Sequence, residues 1–252
     1  FIARSIVNLF FRNPKMFEEY RKKYGYRPPA VMLVSPTMRC NYKCEGCYAA
    51  KYTRKDDMPF ELFDRVITEA KELGIRFIVI LGGEPFIYPG LMDIFKKHRD
   101  IPFQVYTNGS LIDETLAKEL ASLGNVAPQI SIEGFEEETD RRRGKGAFKK
   151  ALKAMENLRD AGCILAFSAM VTRHNVDVLT SESFIDLMID KGCLYGWYFL
   201  YMPVGENPDL SLMPTPEQRN RLRIFSKEIR KKRPILIADF WNDAPATCGC
   251  IN

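Results

Sequence analysis

Cys40, Cys44 and Cys47 stand in the string MRCNYKCEGCY, three thiols within eight residues. Thiolates are soft ligands that suit iron–sulfur clusters and zinc. Three of them on one short loop can hold three corners of a cubane cluster and leave the fourth iron without a protein ligand. Such an open metal position is what a reacting molecule requires. Zinc is the competing occupant. A structural zinc site takes four ligands, and no other Cys or His is close in sequence, so zinc needs a ligand from far along the chain. A disulfide framework fits poorly, because three close cysteines leave one unpaired.

Three further strings carry polar or glycine residues at the ends of apolar runs. Gly82-Gly83-Glu84-Pro85 offers a backbone that can approach a ligand closely, since glycine has no Cβ; Glu84 can neutralise an ammonium. Asn108, in Thr107-Asn108-Gly109, offers an amide to a ligand, although Asn-Gly is also an ordinary turn. Ser131 and Glu133, in Ser131-Ile132-Glu133-Gly134, lie two apart and share a strand face; hydroxyl and carboxylate there suit a polar ligand. Arg141, Arg142 and Arg143 follow. A guanidinium pairs with a carboxylate in two-pronged fashion, and Arg143 is the candidate, against the plain alternative of a solvated charge run. Ser168 and Met170 share a face of a later strand, and Met202 ends the next; core packing accounts for these equally well.

The elements that position these residues alternate. Strand-like runs at residues 31–36, 76–81, 102–107, 129–133, 164–172 and 196–202 are separated by amphipathic stretches at 59–73, 91–98, 113–123, 147–161, 181–191 and 215–232. Residues 235–238 add one short strand. Pro59 and Gly74 punctuate the first long helix, Gly124 closes another, and Thr215-Pro216-Glu217-Gln218 forms a capping box. Strands alternating with helices imply an α/β fold with a parallel sheet, either a barrel or a doubly wound sheet. Chemistry at successive strand ends favours the barrel, where those ends share one face.

The 252 residues suit one large domain. With 46% hydrophobic and 27% charged residues the mix is that of a globular protein. A net charge of +5 does not by itself indicate nucleic acid, and two histidines argue against a histidine-rich metal site. Clustered cysteines, seven in all, point to metal ligation in a reducing, cytoplasmic compartment. No apolar run is long enough to span a membrane. The chain opens on Phe1 rather than Met, which points to a longer parent. Phe1 to Phe11 is apolar with interspersed arginines: an amphipathic helix packed on the domain, or a peripheral membrane contact through residues 1–20.

The strings, in this order, resemble the radical S-adenosylmethionine superfamily, whose signature is the same cysteine spacing after the first barrel strand. Gly82 to Pro85 sits where that family carries its GGE motif, and Ser131 to Gly134 resembles its S-[IL]-D/E-G pattern. The likeness covers about Met32 to Met202. It implies a partial (β/α)6 TIM-type barrel with parallel strands over residues 31–234, after an N-terminal helical extension at 1–30. It also implies a [4Fe–4S] cluster on Cys40, Cys44 and Cys47. S-adenosylmethionine would be held by Gly82, Gly83, Glu84, Pro85, Asn108, Ser131, Glu133 and Arg143, with Ser168, Met170 and Met202 flanking adenine. The family often places an aromatic residue directly before the third cysteine; here Gly46 stands there and Tyr48 follows the triad, and both join the cofactor contacts. Trp241-Asn242-Asp243, then Cys248 and Cys250, resemble the entry to an auxiliary-cluster (SPASM or twitch) domain starting within 235–252. The resemblance implies one-electron cleavage of S-adenosylmethionine to a 5′-deoxyadenosyl radical. That radical would abstract hydrogen from a peptide or lipid-like substrate, with flavodoxin or ferredoxin as electron donor. Adenosyl addition to an alkene lipid and a non-enzymatic zinc scaffold are the alternatives.

Overall fold

Short β-branched and aromatic runs, each too apolar to face water, build one sheet of seven strands. These are β1 (Val31–Val34), β2 (Phe77–Ile80), β3 (Phe103–Thr107), β4 (Val126–Ser131), β5 (Leu165–Val171), β6 (Cys193–Leu200) and β7 (Leu236–Asp239). The computed structural model describes residues 14–26, 29, 31–52, 57–205 and 207–243. Every strand pairs in parallel with the next, in chain order. The sheet curls into an open part-barrel, so all the strand C-terminal ends share one rim.

Nine helices are described, α1 (Pro14–Tyr24), α2 (Phe60–Glu72), α3 (Leu91–Lys97), α4 (Glu114–Leu123), α5 (Glu136–Arg143), α6 (Ala147–Asp160), α7 (Val176–Leu179), α8 (Glu182–Asp190) and α9 (Pro216–Lys232). The apolar stripes of α2, α3, α4, α6, α8 and α9 cover the outer sheet face. Ile78, Ile80, Phe103, Val105, Ile130 and Phe167 point outward and pack with Phe63, Ile67, Phe95, Leu120 and Met155 in one continuous core. The alternation that buries these residues turns their neighbours inward: Gln104, Tyr106, Gln129, Ser131 and Ser168. Local chemistry sets the helix ends. Asp113 accepts from Leu116 N at 2.8 Å to open α4, and Gly124 closes it with φ of 67°. Ser181 caps α8 through Phe184 N.

The architecture departs from the sequence expectation in four places. β4 begins at Val126, not Gln129, and runs through Pro128. The missing N–H is tolerated because β5 pairs with β4 only from Gln129 onward, whereas β3 pairs along the whole strand. β6 starts at Cys193 rather than Gly196. The stretch 136–143 is a helix although it has no apolar stripe. And β7 is a full member of the sheet, in register from Tyr195↔Leu236 to Tyr198↔Asp239, so the part-barrel extends beyond residue 234. The expected helix at Phe1 to Phe11, and Cys248 and Cys250, lie outside the described residues. No helix among the described residues is long and apolar enough to cross a membrane.

The capping box of α9 is formed as read: Gln218 N donates to Thr215 Oγ1 at 3.2 Å, and Thr215 N to Gln218 Oε1 at 3.0 Å. Thr215→Ala is expected to destabilise the protein by about 1 kcal/mol in urea unfolding.

Candidate active site

The cysteine loop follows β1 and is fastened to later strand ends. At the end of β2, Gly83 N donates to Thr37 O at 3.0 Å and Glu84 N to Arg39 O at 2.8 Å. The approach is so close that a Cβ on Gly82 would lie 2.3 Å from Thr37 O, and one on Gly83 2.2 Å from Arg39 O. Gly82 also has φ of 139°, which side chains avoid. The glycines therefore admit the backbone of the preceding loop. At the end of β3, Asn108 Nδ2 donates to Asn41 Oδ1 and Asn41 Nδ2 to Ser110 Oγ, both at 2.8 Å. From α5, the Arg142 carbonyl accepts from Glu45 N at 2.9 Å. From the end of β6, the buried Tyr201 ring fills the space beside Gly46, whose absent Cβ would sit 2.6 Å from it. Asp57 adds a brace by accepting from Thr37 Oγ1 and Arg39 Nε.

Cys40, Cys44 and Cys47 are free, partly buried thiols on this loop. Burial pushes the Cys40 thiol up; Tyr42 N, 3.4 Å from its sulfur, opposes this, and Cys44, Glu84 and Cys47 push the same way as burial. Cys44 and Cys47 thus lie near enough to act on Cys40. Among the described residues no three His, Cys, Asp or Glu side chains converge as ligands of a single ion. Three soft thiols on one loop suit iron–sulfur ligation, in which each thiolate takes a different iron. Tyr48 opens a 3₁₀ turn (Tyr48–Lys51), and its phenol group lies beside the Gly82 backbone.

Two buried carboxylates organise the rim. Glu84 is fully buried and accepts from Thr107 Oγ1 (2.6 Å), Asn108 N (2.7 Å) and Phe86 N (3.2 Å). Burial drives its pKa up, against those bonds. Its side chain ties β2 to β3, with both carboxylate oxygens engaged by these donors. Pro85, also buried, opens the next 3₁₀ turn (Pro85–Ile87). Glu133 is fully buried as well: Oε1 accepts from Arg142 Nη1 (2.7 Å) and Arg143 Nε (2.8 Å), and Oε2 from Met170 N (2.9 Å). Burial raises its pKa, but the two guanidiniums outweigh burial and the net shift is downward. Burial would lower the Arg143 pKa; Glu133, then Cys44 and Cys47, hold it up. Arg143 therefore faces the cysteine loop as a fixed positive charge.

The structure brings together at one rim the cysteine loop, Gly82 to Glu84, Asn108, Ser131, Glu133, Arg143, Ser168 and Met170. Ser131 and Ser168 are in register, with hydroxyls 3.3 Å apart. Met202 is exposed in the loop after β6 and joins no side-chain network. The arginine run is not a solvated face, since Arg142 and Arg143 are 9% and 12% exposed in their side chains. Sequence reasoning missed Asn41 and Tyr201, and within the arginine run it chose Arg143 where Arg142 is buried as well. Asn41 lies inside the cysteine triad and was open to notice; nothing local marks Tyr201.

The family model of the Radical SAM superfamily matches residues 34–185. The chain belongs to the Radical SAM superfamily. Among curated relatives, mycofactocin maturase MftC of Mycobacterium ulcerans is 34% identical over 244 residues, covering 92% of this chain and 63% of its own. Fe-coproporphyrin III synthase of Methanosarcina barkeri is 28% identical over 235 residues, covering 87% and 56%. The chain thus spans little more than half the length of such radical SAM relatives. Streptococcus suis SuiB, solved with S-adenosylmethionine, superposes with a TM-score of 0.76 at 18% identity, over 89% of this chain and 53% of SuiB. It shares the radical SAM fold.

Two outcomes follow from the packing. Gly83→Ala forces a methyl group onto Arg39 O, so anaerobic reconstitution is expected to lose most of the bound iron while far-ultraviolet circular dichroism is kept. Glu133→Gln leaves buried guanidinium charge uncompensated and is expected to cost about 3 kcal/mol at neutral pH in denaturant unfolding. Because the folded pKa of Glu133 lies below the ordinary carboxylate range, its stabilisation is complete above that range. It is lost as the pH falls through the folded value, so the gap between wild type and variant narrows in acid.

Proposed function

We propose that this chain is the catalytic part-barrel of an enzyme that reductively cleaves S-adenosylmethionine and uses the resulting radical to abstract hydrogen from a peptide. The observation that carries this is the cysteine loop itself, three free thiols on a loop clamped by the ends of β2, β3 and β6. Cys40, Cys44 and Cys47 would hold a [4Fe–4S] cluster. When bound, the reduced cluster supplies the electron that splits S-adenosylmethionine into methionine and a 5′-deoxyadenosyl radical. The protein's own part is to position and to exclude. Backbone groups of Gly82 and Gly83 take the methionine end, while Glu84 keeps that turn in place from behind. Arg143 supplies a cation beside the thiolates for the cofactor carboxylate. Ser131 and Ser168 present paired hydroxyls to the ribose, with Asn108 and Met170 beside them. Gly46, Tyr48 and Met202 complete the adenine end. A one-electron donor of the flavodoxin or ferredoxin kind completes the cycle.

A peptide is favoured as substrate by the curated relative MftC, named a mycofactocin maturase, and by SuiB, solved with its precursor peptide SuiA. The lipid and alkene alternatives rest on residues 1–20, most of which lie outside the described residues. Cys248 and Cys250 are assigned to an auxiliary cluster on sequence resemblance alone.

Anaerobic reconstitution with S-adenosylmethionine and a strong reductant is expected to release 5′-deoxyadenosine, identified by mass spectrometry. Cys44→Ala should abolish that release. Retained cleavage in the variant, or a colourless protein with stoichiometric zinc, would sink the proposal.

A further inference from the structure

Beside the strands assigned to the cofactor, the inner wall of the part-barrel turns aromatic. Tyr195, Trp197 and Phe199 alternate onto the inner face of β6, and the register sets Trp197 beside Ser168 and Phe199 beside Met170. The Trp197 and Phe199 rings stack, 6.0 Å apart and tilted by 13°. Phe240, just past β7, lies 6.0 Å from Trp197 and 5.3 Å from Phe199. Tyr106 meets Phe199 edge-on at 5.8 Å across the concave face. All of these rings are only partly buried, whereas Phe167 and Tyr198 on the outer face are fully buried.

Core filling does not account for the polar atoms in this wall. Gln129 is fully buried on the inner face; its Nε2 donates to Tyr195 Oη at 2.5 Å, and its Oε1 has no partner among the described residues. The indole N–H groups of Trp197 and Trp241 are also buried and without a partner among those residues. Trp241 continues the wall, its ring 5.5 Å from Phe240. A buried donor or acceptor left unsatisfied is costly. Three of them around an accessible aromatic surface call for a ligand that brings both a ring and hydrogen-bonding groups.

We infer that this wall is the substrate subsite, and that it takes an aromatic side chain of a peptide. The ring packs against the partly exposed rings of Trp197, Phe199 and Phe240. The register sets Trp197 beside Ser168, so the wall borders the strands assigned to the cofactor. The inference rests on the proposed peptide chemistry for the chain that carries the ring; the wall itself does not depend on it.

The wall carries its own reporters, because Trp197 and Trp241 are the two tryptophans of the chain. Trp241→Phe leaves Trp197 as the single indole. This protein, without S-adenosylmethionine or reductant, is titrated with N-acetylphenylalaninamide and with N-acetylleucinamide while Trp emission is followed. The phenylalanine amide is expected to give a saturable change and to bind about tenfold more tightly than the leucine amide, as contact with several rings implies. Phe199→Leu, which keeps an apolar bulk, should remove most of that preference. Should Trp241→Phe fold poorly, the wild type, with both indoles in the wall, should show the same order of affinities. An equal response to the two amides, or no saturable response up to their solubility, overturns the subsite. Binding here needs neither the cluster nor turnover. An aromatic preference in a protein that cleaves no S-adenosylmethionine would therefore support the subsite while overturning the proposed radical chemistry.

Discussion

The contact between the cysteine loop and the turn after β2 is the constraint on which the site depends. Two backbone segments meet there at a separation that excludes even a methyl group at Gly82 and Gly83. Hydrogen bonds from Gly83 N and Glu84 N run along the seam, so the loop borrows rigidity from a strand end that it does not adjoin in sequence. Loops are ordinarily the mobile part of a fold. This one has fastenings at β2, β3, α5 and β6, and so holds its thiols in place.

The same rim treats two buried carboxylates in opposite ways. Glu84 meets only neutral donors, burial dominates, and its pKa rises. Glu133 meets two guanidiniums, which overcome burial and lower it. The first is a strand-to-strand brace that tolerates its charge poorly. The second is an anion that fixes Arg142 and Arg143. Through it Arg143 is aimed at the cysteines, and the Arg142 carbonyl is left to hold Glu45. Positive charge next to the cysteines is thus anchored from below by Glu133 and does not depend on a flexible surface side chain.

The parallel barrel, the cysteine loop and the order of motifs at strand ends were legible in the sequence, because apolar runs broken by glycine and polar residues mark strand ends locally. What was not legible was set by distant contacts. Pro128 hid the start of β4, since only the unpaired β5 side at that position makes proline acceptable. The helix at 136–143 has no apolar stripe; it exists because Glu133, Thr139 and the capping residues satisfy it. The burial of Arg142 and Arg143 needs a carboxylate on the preceding strand end. Tyr201 could not be connected with Gly46 by any local pattern, because β6 and the loop after β1 meet only when the sheet curls.

The sheet divides its labour by face. Outward residues make the core under the helices, and inward residues are polar on β3 to β5 and aromatic on β6 and past β7, which leaves the concave side free for ligands. The central claim is that three thiolates on a clamped loop leave one iron open to S-adenosylmethionine. Electron paramagnetic resonance of the reduced, anaerobic protein tests it most directly. The account predicts a [4Fe–4S]⁺ signal whose g values move when S-adenosylmethionine is added. A cluster signal that S-adenosylmethionine leaves unchanged would contradict it.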